Sequence, residues 1–131
     1  MAKETKKVKS YYTDVDKDLG TYGAFGWKLL SQNGTSGMVE LILYRDTDHP
    51  HYQELVKAES LYESKVEERR KLPHPVKPEE PKFFDFKGKK EYSQKLSDFH
   101  MAEIKRDNRF RELTKEIQQI VNDCKLNYIL D

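Results

Sequence analysis

The sequence predicts an α+β protein: a small three-stranded sheet of β-α-β-β order, antiparallel or mixed, followed by a helical hairpin with one long C-terminal helix. Three observations carry this prediction. Two apolar runs, from Trp27 and from Met38, flank a loop that opens with Asn33-Gly34 and closes with Gly37, as in a β-hairpin. Four prolines fall between 73 and 81 and separate two amphipathic stretches. From Lys89 to Cys124 there is no proline or glycine, and apolar residues recur at spacings of three and four.

Residues 6–13 suit a first strand, with Val8 and Tyr12 on one face and Tyr11 on the other. Thr13-x-x-Asp16 has the arrangement of a capping box, and Val15, Leu19 and Tyr22 follow at helical spacing. Gly20 and Gly23 each weaken this helix by about 1 kcal/mol relative to Ala, and Gly26 ends it. In the third strand Val39, Leu41 and Leu43 alternate with Met38, Ile42 and Tyr44. Its apolar content places it at the centre, antiparallel to the first. Both of its faces are apolar, so a second layer is expected, either the C-terminal helices or a second copy of the chain. These residues form the first segment, 1–46.

The second segment, 47–72, opens at Asp46-Thr47-Asp48-His49-Pro50, where acids and proline favour a helix start. Tyr52, Leu55, Val56, Tyr62 and Val66 give it one apolar stripe. The third, 73–88, reads as an extended linker of polyproline character, ending in the cluster Phe83, Phe84 and Phe86. The fourth, 89–131, is a helix of roughly 50 Å at 1.5 Å per residue with a short apolar tail, Leu126 to Leu130, that docks on the fold. Its seam runs through Tyr92, Leu96, Phe99, Phe110, Leu113, Ile117, Ile120 and Cys124. Glu103 and Arg106 interrupt it, which implies a kink or pairing to Arg69 or Glu59.

Composition narrows the function classes. A hydrophobic fraction of 36% and a charged fraction of 36% differ from the roughly 45–50% and 25% of ordinary domains, so much of the surface is well solvated. The net charge of +1 gives no global field toward nucleic acid or an anionic membrane. The one cysteine, Cys124, has no intramolecular disulfide partner, and polar residues follow Met1 without an apolar signal core, as expected of a cytoplasmic protein. No apolar run approaches the ~20 residues of a membrane span.

The segment Gly26-Trp27-Lys28-Leu29-Leu30, with the hairpin closing on Leu43-Tyr44-Arg45, resembles a family of small uncharacterised bacterial domains. Members have a Gly-Trp-Glu-Leu-Val-like strand opening and an apolar or aromatic residue followed by Lys or Arg at the hairpin's end. The likeness covers residues 6–46; Lys28 and Leu30 depart from the usual residues, and Gly20 and Gly23 are unusual for the helix. It implies a β-α-β-β unit, a bacterial or phage source and association through the sheet, and it transfers no active site.

Candidate chemistry is sparse. Asp46, Asp48, His49 and His51 are four potential metal ligands close in sequence, although a helix start accounts for the same residues. Cys124 and His100 are a nucleophile and a base, but 24 residues of continuous helix hold them about 36 Å apart. Lys6, Lys7 and Lys9 beside Tyr11 and Tyr12, and Lys87, Lys89 and Lys90 beside the Phe cluster, combine cations for phosphates with rings for bases. The leading expectation is a non-enzymatic protein-interaction or oligomerisation module, with Phe83, Phe84, Phe86, Phe110, Leu113, Ile117 and Ile120 as its contact surface, because the long helix exceeds what the shorter one can cover. Nucleic acid is the alternative partner. No cofactor, small-molecule substrate or membrane is implied.

Overall fold

The computed structural model describes residues 2–82 and 86–129, apart from the side chains of Thr35 and Phe86. Its elements are β1 (Lys3–Tyr11), a 3-10 turn (Tyr12–Asp14), α1 (Val15–Ala24), β2 (Lys28–Thr35), β3 (Met38–Asp46), α2 (Tyr52–Arg70) and α3 (Phe86–Asn127). The described residues pack as two compact units, one of residues 1–64 with 117–131 and one of residues 65–116. Both later helices contribute to each.

In the first unit the three strands form one antiparallel sheet in the order β1-β3-β2. The apolar strand is central, as its composition predicts. Two details differ from the sequence reading. The strands run on to Thr35 and from Met38, leaving a two-residue turn whose second residue, Gly37, has φ +77°, a conformation glycine adopts without strain. The first strand stops at Tyr11, so Tyr12 belongs to the 3-10 segment, 58% exposed with its hydroxyl beside Gly34. No side chain caps α1, so the capping box predicted at Thr13 does not form.

One face of the sheet carries Val8, Val39, Leu41 and Leu43, and against it pack Val15, Leu19 and Tyr22 of α1, Leu55 of α2, and Ile120, Val121 and Cys124 of α3. The tail docks through Tyr128 and Ile129, while Leu126 is exposed. All the helical cover thus lies on one side. This corrects the expectation that the C-terminal helices cover the other face. α1 has ten residues and one apolar stripe, which leaves room beside it for α3.

Charged residues enter this core. Arg45, 4% exposed, ends the inner row of β3; its guanidinium lies 4.3 Å from the Trp27 ring centroid and 5.3 Å from that of Tyr52. It donates to Glu4 and to the Phe25 carbonyl (3.0 Å), and it pairs with Glu59 at 3.2 Å. The second Glu59 oxygen accepts from Trp27 Nε1 at 2.6 Å. Gly26 permits this approach. Its φ is +90°, and a Cβ there would meet Leu55 Cδ1 at 3.1 Å and Arg45 Cδ at 3.4 Å. Gly26, Trp27 and Arg45, distant in sequence, therefore form one assembly. Glu59 serves this assembly and not the interruption in α3.

In the second unit, the end of α2 and the middle of α3 run antiparallel. Lys65 pairs with Glu116 at 3.0 Å, Arg69 donates to Thr114 at 3.2 Å, and Arg109 pairs with Glu68 at 2.6 Å. Leu113 is buried. Beyond the turn at Lys71, residues 72–82 form neither helix nor strand, and Leu72, Pro75, Pro78 and Pro81 are half-buried, while the residues between them are exposed. A polyproline helix repeats every three residues, so these four share one face. The start of the segment lines a groove with Ala102, Lys105 and Arg106, and its end lines another with Gly88, Tyr92 and Lys95. The proline-rich segment is thus a strap lying antiparallel along the first half of α3. α3 is one unbroken helix of 42 residues that already begins at Phe86, and it has no break at Glu103 or Arg106.

Two outcomes follow. Glu59→Ala leaves Arg45 and Trp27 Nε1 short of a buried acceptor and lowers unfolding stability by about 3 kcal/mol or more, whereas Glu63→Ala, at an exposed partner, costs less than about 1 kcal/mol; urea denaturation reads both. Pro78→Gly raises the entropy of the unfolded strap by an amount worth about 0.5–1 kcal/mol. Hydrogen exchange should then quicken at the amides of 88–105 and stay unchanged in β1 and β3.

Candidate nucleic-acid interface

The inner and outer faces of the sheet differ because strand residues alternate. Register sets the outer rows: Thr5, Tyr44 and Lys28; Lys7, Ile42 and Ser31; Lys9, Glu40 and Asn33; Tyr11, Met38 and Thr35; with Lys3 opposite Asp46. Leu30 is the extra residue of a bulge between Leu29 and Ser31 and is 59% exposed. The core cluster draws nothing from this face. Its centre, Met38, Ile42 and Tyr44, is half-buried by the neighbouring strands alone, and Lys3, Lys7, Lys9 and Lys28 around it are exposed. Lysine stems cover apolar surface while their ammonium groups stay in water.

Four lysines face two carboxylates, Glu40 and Asp46, so the outer face has a positive surplus. Tyr11, 62% exposed, offers its ring at one end, and Tyr44 at the other lies under Lys3 Nζ at 4.9 Å from its centroid. Rings with cations around them suit a flexible polyanion that also has flat apolar groups.

The predicted site residues divide. Lys7 and Lys9 lie on the open face, joined there by Lys3, Lys28 and Tyr44. The β1–β3 register brings Tyr44 beside the β1 lysines, and the β2–β3 register adds Lys28. Lys6 is corrected. It points inward, 3.3 Å from Glu63 Oε1 and 3.8 Å from Glu59 Oε2, with the Tyr22 ring 5.1 Å from its ammonium. Burial first, then Asp18, Glu59 and Glu63, raises the Tyr22 phenol above its ordinary pKa. Lys87, Lys89 and Lys90 are exposed at the start of α3, in the second unit.

The predicted protein-contact surface is also corrected. Leu113 and Ile117 are buried and Ile120 packs against the first unit's core, so the chain itself occupies that stripe. Phe110 remains 40% exposed, with the Arg69 and Arg106 guanidinium groups 5.4 and 6.0 Å from its ring centroid. Phe83, Phe84 and the side chain of Phe86 lie outside the described residues.

The metal set does not assemble. Asp46 Oδ1 accepts the Asp48 amide at 2.9 Å, and His49 Nδ1 accepts the His51 amide at 3.0 Å. These are turn-forming bonds, the helix-start role of such residues. Among the described residues no group of three His, Cys, Asp or Glu side chains is placed to hold an ion. Cys124 is buried in the core, and desolvation, with Asp123 adding to it, raises its thiol pKa. His100 is exposed and lies 3.4 Å from Glu103. No helix among the described residues is long and apolar enough to cross a membrane.

No family model, curated protein or solved structure matches the chain.

The two lysine environments separate by stability. Lys6→Met loses an ion pair and a ring contact and is expected to cost about 1 kcal/mol, whereas Lys7→Met stays within about 0.5 kcal/mol of the parent. Thermal melts of the two variants check this.

Proposed function

We propose that this chain is a non-enzymatic binding module whose open sheet face receives single-stranded nucleic acid. The observation that carries the reading is the ring of Lys3, Lys7, Lys9 and Lys28 around Tyr44 and Ile42 on a face from which, among the described residues, the helix-covered core draws nothing. Phosphates meet the lysines and bases stack on the tyrosines, an arrangement that tolerates many sequences because every base has a flat face. The same charge disfavours a second copy on this face, since like faces repel. The packing of Leu113, Ile117 and Ile120 within the chain removes the apolar surplus that argues for oligomerisation through α3.

Protein association keeps one specific support, the exposed Leu29 and Leu30 on the edge strand β2, where unpaired backbone groups accept a further strand. The non-enzymatic reading is supported by the separate surroundings of Cys124, in the core, and His100, at the surface. A reducing, cytoplasmic setting agrees with a single buried thiol. The likeness to the small bacterial domains gains a physical rationale from the meeting of Gly26, Trp27 and Arg45.

Fluorescence anisotropy with a labelled 12-nucleotide RNA and the matching DNA tests the proposal. Binding should weaken by an order of magnitude or more between 50 and 200 mM salt and by a comparable factor in the Lys7→Glu/Lys9→Glu double variant, while Lys87→Glu/Lys90→Glu has the smaller effect. Absence of binding at 50 mM salt, or binding indifferent to Lys7 and Lys9, overturns it. Concentration-dependent dimerisation abolished by Leu30→Lys would favour the edge-strand reading instead.

A further inference from the structure

The second unit contains a groove between the start of the strap and α3. Leu72, Pro73 and Pro75 of the strap form one wall, and Ala102, Lys105 and Arg106 of α3 form the other, around a volume of about 390 Å3. That lies within the roughly 300–1,000 Å3 of small-molecule sites. His74 and Arg109 complete the lining, and apart from this imidazole and the three cations the walls are apolar.

Arg106 is the unusual member. Its Nε is enclosed by protein without a hydrogen-bond partner, the one such side-chain atom among the described residues. Its other contacts are weak: Asp107 Oδ1 stands 3.6 Å from Nη1, and the Phe110 ring centroid 6.0 Å from the guanidinium carbon. Arg109, by contrast, is held by both Glu68 and Glu112. The enclosed Nε is out of a ligand's reach, so it is the terminal Nη groups of the guanidinium that offer paired donors matching a carboxylate. Lys105, beside it on the same wall, adds a second positive charge.

We propose that this groove binds a small monocarboxylate with an apolar body, its carboxylate on Arg106 and Lys105 and its hydrocarbon against Leu72, Pro73, Pro75 and Ala102. The strap is half of the site. Charge selects the head group, and the proline wall, which has few donors, selects an apolar remainder.

Isothermal titration of the full chain with decanoate, below its micellar range, tests this, with decanol as the neutral control. One decanoate should bind per chain, and decanol at least about tenfold more weakly, as expected from loss of a charged hydrogen bond. Arg106→Gln should weaken decanoate by a similar factor without changing decanol, and Ala102→Trp, which fills the groove, should abolish both. If Arg106→Gln does not fold, Arg106→Lys, which keeps the charge but lacks the paired donors, should show the loss. No decanoate binding, equal affinity for decanol, or binding unchanged by the Arg106 and Ala102 substitutions overturns the proposal.

Discussion

The first unit depends on a cation placed inside a hydrophobic core. Arg45 extends the inner row of β3 beyond Leu43, at a position where a continuing strand pattern calls for another apolar side chain. The chain accommodates it by surrounding the guanidinium with the Trp27 and Tyr52 rings, the Phe25 carbonyl and the carboxylates of Glu4 and Glu59. These contacts come from three parts of the chain, so the arrangement ties together β1, the α1–β2 junction and α2. Burying an ion pair is weak evidence for stability, because desolvation offsets much of the Coulomb attraction. Its effect here is on specificity. Only one placement of α2 presents Glu59 to both Arg45 and Trp27 Nε1, and a one-turn slip would part Glu59 from both, leaving Trp27 Nε1 without its acceptor.

α3 shows how one long helix finds cover from partners of different kinds. Its last part, through Val121 and Cys124, enters the sheet's core. Its middle pairs with α2 through the ladder from Lys65–Glu116 to Glu68–Arg109. Its first half lies along the strap. The interruption of the apolar seam at Arg106 falls where the neighbour changes from a helix to a polyproline segment. A polyproline backbone presents a repeat of three, not the ridges of an α-helix, and a long side chain with an apolar stem fits the irregular gap better than a leucine.

Much of this was legible in the residues. Apolar content marked β3 as central, the apolar stripe marked α1 and both later helices, and four prolines in nine positions marked an extended segment. What was not legible depended on partners remote in sequence. Glu59 and Lys6 look like surface charges, and only the sheet register and the seating of α2 reveal that they face inward. The open face was half visible, through Lys7 and Lys9; Tyr44 joins it through the β1–β3 register and Lys28 only once β2 is aligned on β3. The strap's regular spacing, Pro75, Pro78 and Pro81, was present in the sequence, but that the prolines face a helix depends on α3 lying beside them.

The core of the first unit closes with residues from two distant stretches, 1–64 and 117–131. On a ribosome making about 5–20 residues per second, the sheet and α1 emerge well before Val121, Cys124, Tyr128 and Ile129 exist. During that interval Leu41 and Leu43 lack part of their cover, while two edge strands are already exposed. The lysines that alternate along β1 discourage pairing with neighbouring chains at one edge, so the edge most open to misassembly during synthesis is β2.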